Sequence, residues 1–257
     1  MTSEPTVAGA RSDHAKVPEL TLLFWVIKIA ATTLGETGGD AVSMSMNLGY
    51  LVGTTIFAVT FLIAVAVQMK TPRFHPVIYW ITIIATTTVG TTLADFADRS
   101  LGIGYAGGST MLFLLLIASL AIWRRVMGTV SVASVASPRS EVFYWVTIMF
   151  SQTLGTALGD WTADSAGLGY AGGAVVFVLL LAVVVALYLF THVSRTVLFW
   201  AAFILTRPLG AVLGDFLDKP HAKGGLALSR YSASAALLVF IFGCIVLFPH
   251  RAARTAH

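Results

Sequence analysis

TTTVGTTLADFADRSLGIGYAGG, residues 86–108, sets two carboxylates, Asp95 and Asp98, on a threonine- and glycine-rich segment flanked by strongly apolar runs. Versions of the phrase recur along the chain. Trp25, Trp80, Trp145 and Trp200 each follow an aromatic residue, and ten positions after them come Gly35, Gly90, Gly155 and Gly210. Five positions further on stand Asp40, Asp95, Asp160 and Asp215. A tyrosine (Tyr50, Tyr105, Tyr170, Tyr231) then opens a second apolar run. Four matches at such offsets define a tandem repeat, each unit reading as helix, polar turn, helix.

Composition identifies the solvent around these units. Of 257 residues, 57% are hydrophobic and 11% charged, where soluble domains carry about a quarter charged. Apolar runs of about 20 residues match the length of a bilayer-spanning helix, and their continuity argues against a β-barrel. The expected fold is an all-α integral membrane protein with eight transmembrane helices, built as four parallel pseudo-symmetric helical hairpins. The predicted spans are 20–42, 50–69, 76–97, 105–125, 142–162, 170–190, 196–217 and 231–249. Residues 20–125 form a first four-helix half (repeats 20–74 and 75–125), and 141–249 a second (repeats 141–194 and 195–249). A Ser/Ala/Val-rich linker, 126–140, joins them, and 1–19 and 250–257 are tails. The first 19 residues hold no apolar leader, so no cleaved signal peptide is expected.

Basic residues set the orientation. Arg11, Lys16, Lys70, Arg73, Arg124, Arg125, Arg139, Arg195, Arg251 and Arg254 fall in the tails and between units. The turns inside units hold only Arg99, Lys219, Lys223 and Arg230. The positive-inside rule then puts both termini in the cytoplasm and the aspartate turns outside, with tryptophans near one interface and tyrosines near the other.

Eight of the twelve acidic residues belong to the repeated phrase; Glu4, Asp13, Glu19 and Glu141 do not. A charge deep in lipid costs several kcal/mol unless paired, hydrated or protonated, so their retention points to a use. Counting back from each aspartate places Thr33, Glu36, Thr88, Thr91, Thr153 and Thr156 on one helical face. Glu36, Asp40, Asp95, Asp160 and Asp215 are the candidate cation- and proton-binding residues, Asp98, Asp164 and Asp218 an outer vestibule, and the threonines a pathway lining. Lys28 and Arg207 break the fourfold pattern and are candidate internal counter-charges. The competing reading sets the aspartates about 22 Å along the helix from their tryptophans, near the outer interface, capping turns or pairing with Arg99 or Lys219. Gly35, Gly39, Gly90, Gly155, Gly159, Gly210 and Gly214 supply the small spacing that lets helices approach closely in lipid.

The single cysteine, Cys244, excludes an internal disulfide or a cysteine-based metal site, and oxygen ligands suit Mn²⁺, Ca²⁺, Mg²⁺, Na⁺ or H⁺. No nucleophile–base motif, phosphate loop or basic aromatic stripe is present, so neither an enzyme nor a nucleic-acid binder is expected.

The Trp…Gly…Asp…Gly-Tyr repeat resembles a family of bacterial membrane proteins built from tandem two-helix repeats of unknown function, over residues 20–249. The resemblance implies a multi-pass protein of the bacterial inner membrane and brings no reaction. ETGGD, residues 36–40, is also similar to the acidic signature of cation–proton exchangers for calcium and manganese. The functional expectation is a secondary transporter coupling protons to export of a hard divalent cation, with that ion as substrate and no covalent cofactor. Its halves, 20–125 and 142–249, would rock about the linker. The alternatives are a structural or sensory protein whose external acidic turns bind ions or a partner, and a pseudo-fourfold cation channel. The partners admitted are the lipid bilayer, a small cation or cationic solute, and further copies of the chain in a homo-oligomer.

Overall fold

The computed structural model describes residues 15–253; Glu4, Arg11, Asp13 and Arg254, with most of the tails, lie outside the described residues. The described residues form eight long helices: α1 (Leu22–Asp40), α2 (Gly49–Lys70), α3 (Pro76–Asp95), α4 (Tyr105–Met127), α5 (Pro138–Asp160), α6 (Gly169–Phe190), α7 (Arg195–Asp218) and α8 (Arg230–Leu247). Local chemistry fixes their ends. Thr21 accepts the Phe24 N–H at the start of α1, the N-cap Ser137 and Ser140 in the first turn of α5 cap it reciprocally, and Gly128, at φ 75°, closes α4.

The first helix of each unit belongs to an inner ring: α1 packs on α3, α3 on α5, α5 on α7, and α7 returns to α1. The second helix lies outside and leans mainly on the next unit's inner helix, α2 on α3, α4 on α5, α6 on α7 and α8 on α1. Glycines permit the close approach. Thr87 fills the hollow at Gly35, Gln152 that at Gly90, Arg207 that at Gly155 and Thr32 that at Gly210. One turn on, Thr91 packs at Gly39, Ala211 at Gly159 and Glu36 at Gly214. A β-carbon at most of these glycines would overlap its neighbour, so the small residues are what lets the ring close. Because α3 meets α5, and α7 meets α1, through the same device, the packing has no seam between the two expected four-helix halves.

The inner helices are buried along most of their length, while the outer helices present Leu51, Ile56, Leu62, Phe113, Leu114, Leu179, Val239 and Phe242 to the surroundings. Every helix but α1 and α5 is long and apolar enough to cross a membrane. Surface of this kind would aggregate in water, whereas lipid solvates it; the molecule is a multi-pass membrane protein.

The tryptophans pack between neighbouring units. Trp80, Trp145 and Trp200 are buried within the protein, and Trp25 is partly so. Phe24 packs tilted against Trp80, Tyr79 against Trp145, Tyr144 against Trp200 and Phe199 against Trp25, so each unit's aromatic pair reaches into the next at centroid distances of 5.5, 6.0, 6.4 and 6.0 Å. Such contacts bury large apolar rings between neighbouring units.

Candidate functional site

Steps of four residues along the inner helices pass through five layers. An aromatic layer of Phe24, Tyr79, Tyr144 and Phe199 is followed by Lys28, Ile83, Ile148 and Phe203. Next come Thr32, Thr87, Gln152 and Arg207, then Glu36, Thr91, Thr156 and Ala211, and last Asp40, Asp95, Asp160 and Asp215. None of these residues is more than 4% exposed. The Tyr79 and Tyr144 hydroxyls bond at 2.7 Å and tie the aromatic end together.

Arg207 lies across the ring. Both its terminal nitrogens donate to Glu36 Oε2 at 3.1 Å, and Nη2 also donates to Thr91 Oγ1 at 2.6 Å, to Thr156 Oγ1 and to the Thr87 carbonyl. The guanidinium thus meets three of the four members of the Glu36 layer. The fourth, Ala211, is one turn along Arg207's own helix.

The aspartate layer is bound across units. Lys219 donates to Asp40 and lies 3.0 Å from Asp215 and 3.9 Å from Asp218. Arg230 Nε donates to Asp218 at 2.9 Å, and the Arg230 guanidinium approaches Asp40 at 3.6 Å. Arg99 is 2.9 Å from Asp95 and 3.8 Å from Asp160. Six buried carboxylates (Glu36, Asp40, Asp95, Asp160, Asp215, Asp218) therefore face four cations (Arg99, Arg207, Lys219, Arg230). Asp40 Oδ1 and Asp95 Oδ2 have no hydrogen-bond partner among the described residues. Glu36, Asp160 and Asp215 each bring one oxygen within 4.8 Å of the others, and Asp40, Asp215 and Asp218 do the same. Burial opposes the Lys219 charge, but Asp215, Asp40 and Asp218 outweigh it and hold the ammonium well above the ordinary lysine range.

A widened helical turn follows the layer in three units. Met46 N–H bonds the Ala41 carbonyl, Leu101 that of Phe96 and Ala166 that of Trp161, each five residues back, at 2.8, 3.0 and 2.8 Å. Such turns are frequent at functional sites. In the fourth unit α7 instead runs on to Asp218 and delivers Lys219 from its C-cap.

The structure places the predicted residues unevenly. Glu36, Asp40, Asp95, Asp160 and Asp215 come together, as do Thr91 and Thr156 beside Arg207. Thr33, Thr88 and Thr153 stand one position off the row, and each donates its hydroxyl to its own helix, to the carbonyls of Ile29, Ile84 and Met149. The row runs by fours, a ridge inclined to the helix axis, whereas counting back by sevens follows a straighter line. Asp218 is 7% exposed and ion-paired inside the cluster, not in a vestibule; Asp98 is half-buried and Asp164 exposed. Lys28 Nζ has no hydrogen-bond partner among the described residues and sits 4.2 Å above the Phe203 ring. Arg99 and Lys219 stand four residues after Asp95 and Asp215, within reach on a helix, and pair with them as the competing reading expects; Arg230 falls outside both readings.

Fold and site define a class: a membrane protein of four tandem helix pairs, closed into a ring around a buried layer of carboxylates. The chain belongs to the family described as a Repeat of Unknown Function (DUF347), which matches residues 23–74, 78–129, 143–194 and 198–255. No curated protein and no solved structure matches it.

Proposed function

We propose that the protein crosses the bacterial inner membrane eight times, with pseudo-fourfold symmetry about an axis along the membrane normal and both termini cytoplasmic. We propose further that it is a secondary transporter, exchanging protons for a hard divalent cation of the Mn²⁺, Ca²⁺ or Mg²⁺ type. The observation that carries this reading is the aspartate layer, one carboxylate from each unit, buried, with two more carboxylates than cations around it. An excess of two negative charges in lipid calls for a divalent ion or two protons. Both serve the same oxygens, and that competition is what couples their movements.

In the arrangement described, Lys219 and Arg99 act as tethered cations that hold the site when no substrate is bound. A metal ion entering at Asp40, Asp215 and Asp218 would displace the Lys219 head, which can swing outward from the end of α7. Arg207 and the aromatic layer close the way beyond, as alternating access requires of one gate at a time. They also speak against an open channel in this conformation.

A second reading is favoured by the pairing itself. Each layer aspartate already has a cation within 4.0 Å, so a structural protein with a self-neutralised core fits those contacts too. Proteoliposomes separate the two. A transporter takes up Mn²⁺ or Ca²⁺ saturably, driven by a pH gradient, and loses uptake in Asp160→Asn while keeping it in Asp164→Asn. Absence of gradient-driven uptake of all three ions by folded protein would leave the structural reading standing.

A further inference from the structure

A second polar group lies two layers from the aspartates, and of its members the transport reading uses only Arg207, as part of the closed gate. Lys28 Nζ, Thr87 Oγ1, both amide atoms of Gln152 and Arg207 Nε have no hydrogen-bond partner among the described residues. Each of the four side chains is 0% exposed, and each comes from a different inner helix. They occupy two successive layers. Lys28 lies over Phe203, whose own helix carries Arg207 one turn later, while Gln152 and Thr87 fill the hollows at Gly90 and Gly35.

Buried polar groups are nearly always satisfied, so several orphans at one depth indicate something that answers them. The donor count says what. Lys28 offers three N–H groups, Gln152 two and Arg207 Nε one, while only the Gln152 carbonyl and the Thr87 hydroxyl can accept. The charge count agrees. Lys28 and Arg207 are two basic side chains facing one carboxylate, Glu36, whose Oε2 is spent on Arg207. A phenyl face at 4.2 Å compensates an ammonium only partly and accepts no hydrogen bond in the plane of a lone pair.

We propose that Lys28, Thr87, Gln152 and the Nε side of Arg207 bind one small monovalent anion, of halide size, on the axis between the aromatic layer and Glu36. One layer spans roughly 6 Å of helix rise, which suits a chloride and not a multi-carbon anion. Bound there, the ion completes the donors of all four inner helices and closes the local charge balance. It stands apart from the aspartate layer, so the inference does not depend on what that layer carries.

The test uses the purified full-length protein in detergent. Equilibrium dialysis with radioactive chloride is expected to give saturable binding of about one ion per chain, competed by bromide and not by gluconate. Replacing gluconate by chloride at constant ionic strength should raise the parent's melting temperature by ~3 °C for each tenfold of chloride above the dissociation constant. Lys28→Met and Gln152→Leu should each abolish that increment. If the folded parent shows no saturable chloride binding, the orphans are answered by water and the proposal is wrong. Equal chloride binding by parent and Lys28→Met would overturn it as well, and the dialysis of the parent decides even if neither variant folds.

Discussion

At the residue scale the decisive contact is Arg207 with Glu36, because both are buried and each answers a charge the other leaves. Removing one member strands the other, which typically costs about 3–5 kcal/mol. Arg207→Met is therefore expected to lower unfolding stability by that order, and Arg207→Met with Glu36→Gln to recover most of the loss, as measured by denaturation in detergent. Recovery by the second change would show that the penalty comes from a stranded charge rather than from lost packing. Lys219 gives the corresponding pH behaviour. Its folded pKa is raised, so its contribution is complete below the ordinary lysine range and is lost only as pH climbs through the raised value. The parent should hold its melting temperature from neutral pH well into the alkaline range. Lys219→Met should be less stable throughout that window, with the gap closing only at the alkaline end.

At the scale of the helix the ring depends on glycine where an inner helix meets its neighbour. A side chain at Gly90 would press on the backbone of Gln152 and Thr153, and one at Gly155 on the stem of Arg207. Gly90→Val and Gly155→Val should each destabilise by ~3 kcal/mol or more. Gly243, inside α8, has nothing within 4 Å of an added β-carbon, so Gly243→Ala should be neutral or stabilising by up to ~1 kcal/mol. The pair of outcomes distinguishes close packing from a general dislike of substitution. These glycines were legible in the sequence because the repeat set them at equal offsets, as it did the four aspartates. The axial row was less legible. Glu36, Thr91 and Thr156 lie both on the row of fours and on the face read by threes, fours and sevens, whereas Thr32, Thr87 and Gln152 lie only on the row. Which line faces the axis depends on how the helices cross, and no single helix encodes that angle. Arg230 was hidden for another reason: it lies beyond the insertion peculiar to the fourth unit, 12 residues from the Asp218 it pairs with, whereas Lys219 holds the repeat position of Arg99.

At the scale of the whole molecule, what matters is that each outer helix serves the following unit. α4 rests on α5 and α8 on α1, so a cut in the 126–140 segment separates helices that pack together. The amino-terminal stretch adds a further tie. Lys16 pairs with Glu141 at 2.7 Å and donates to the Met69 carbonyl, its own carbonyl accepts from Gln68, and its N–H reaches the carbonyl of Val135. Close by, Glu19 N–H bonds the Arg251 carbonyl and Ala253 N–H that of Val17. Both ends of the described chain are thus bound beneath the ring. A first half made alone would leave α3 without α5 and α4 with no inner helix to lean on, exposing the hollow at Gly90 that Gln152 fills, and a second half alone would expose the one at Gly210 that Thr32 fills. Two self-contained halves rocking on a linker would each fold by themselves; a closed ring predicts otherwise. Residues 1–130 and 131–257 expressed singly should be degraded or aggregate, whereas co-expressed they should co-purify in equal amounts and melt as one unit. Stable, monodisperse single halves would instead show that the interfaces at α3–α5 and α7–α1 are secondary, and would return the rocking motion to the centre of any transport cycle.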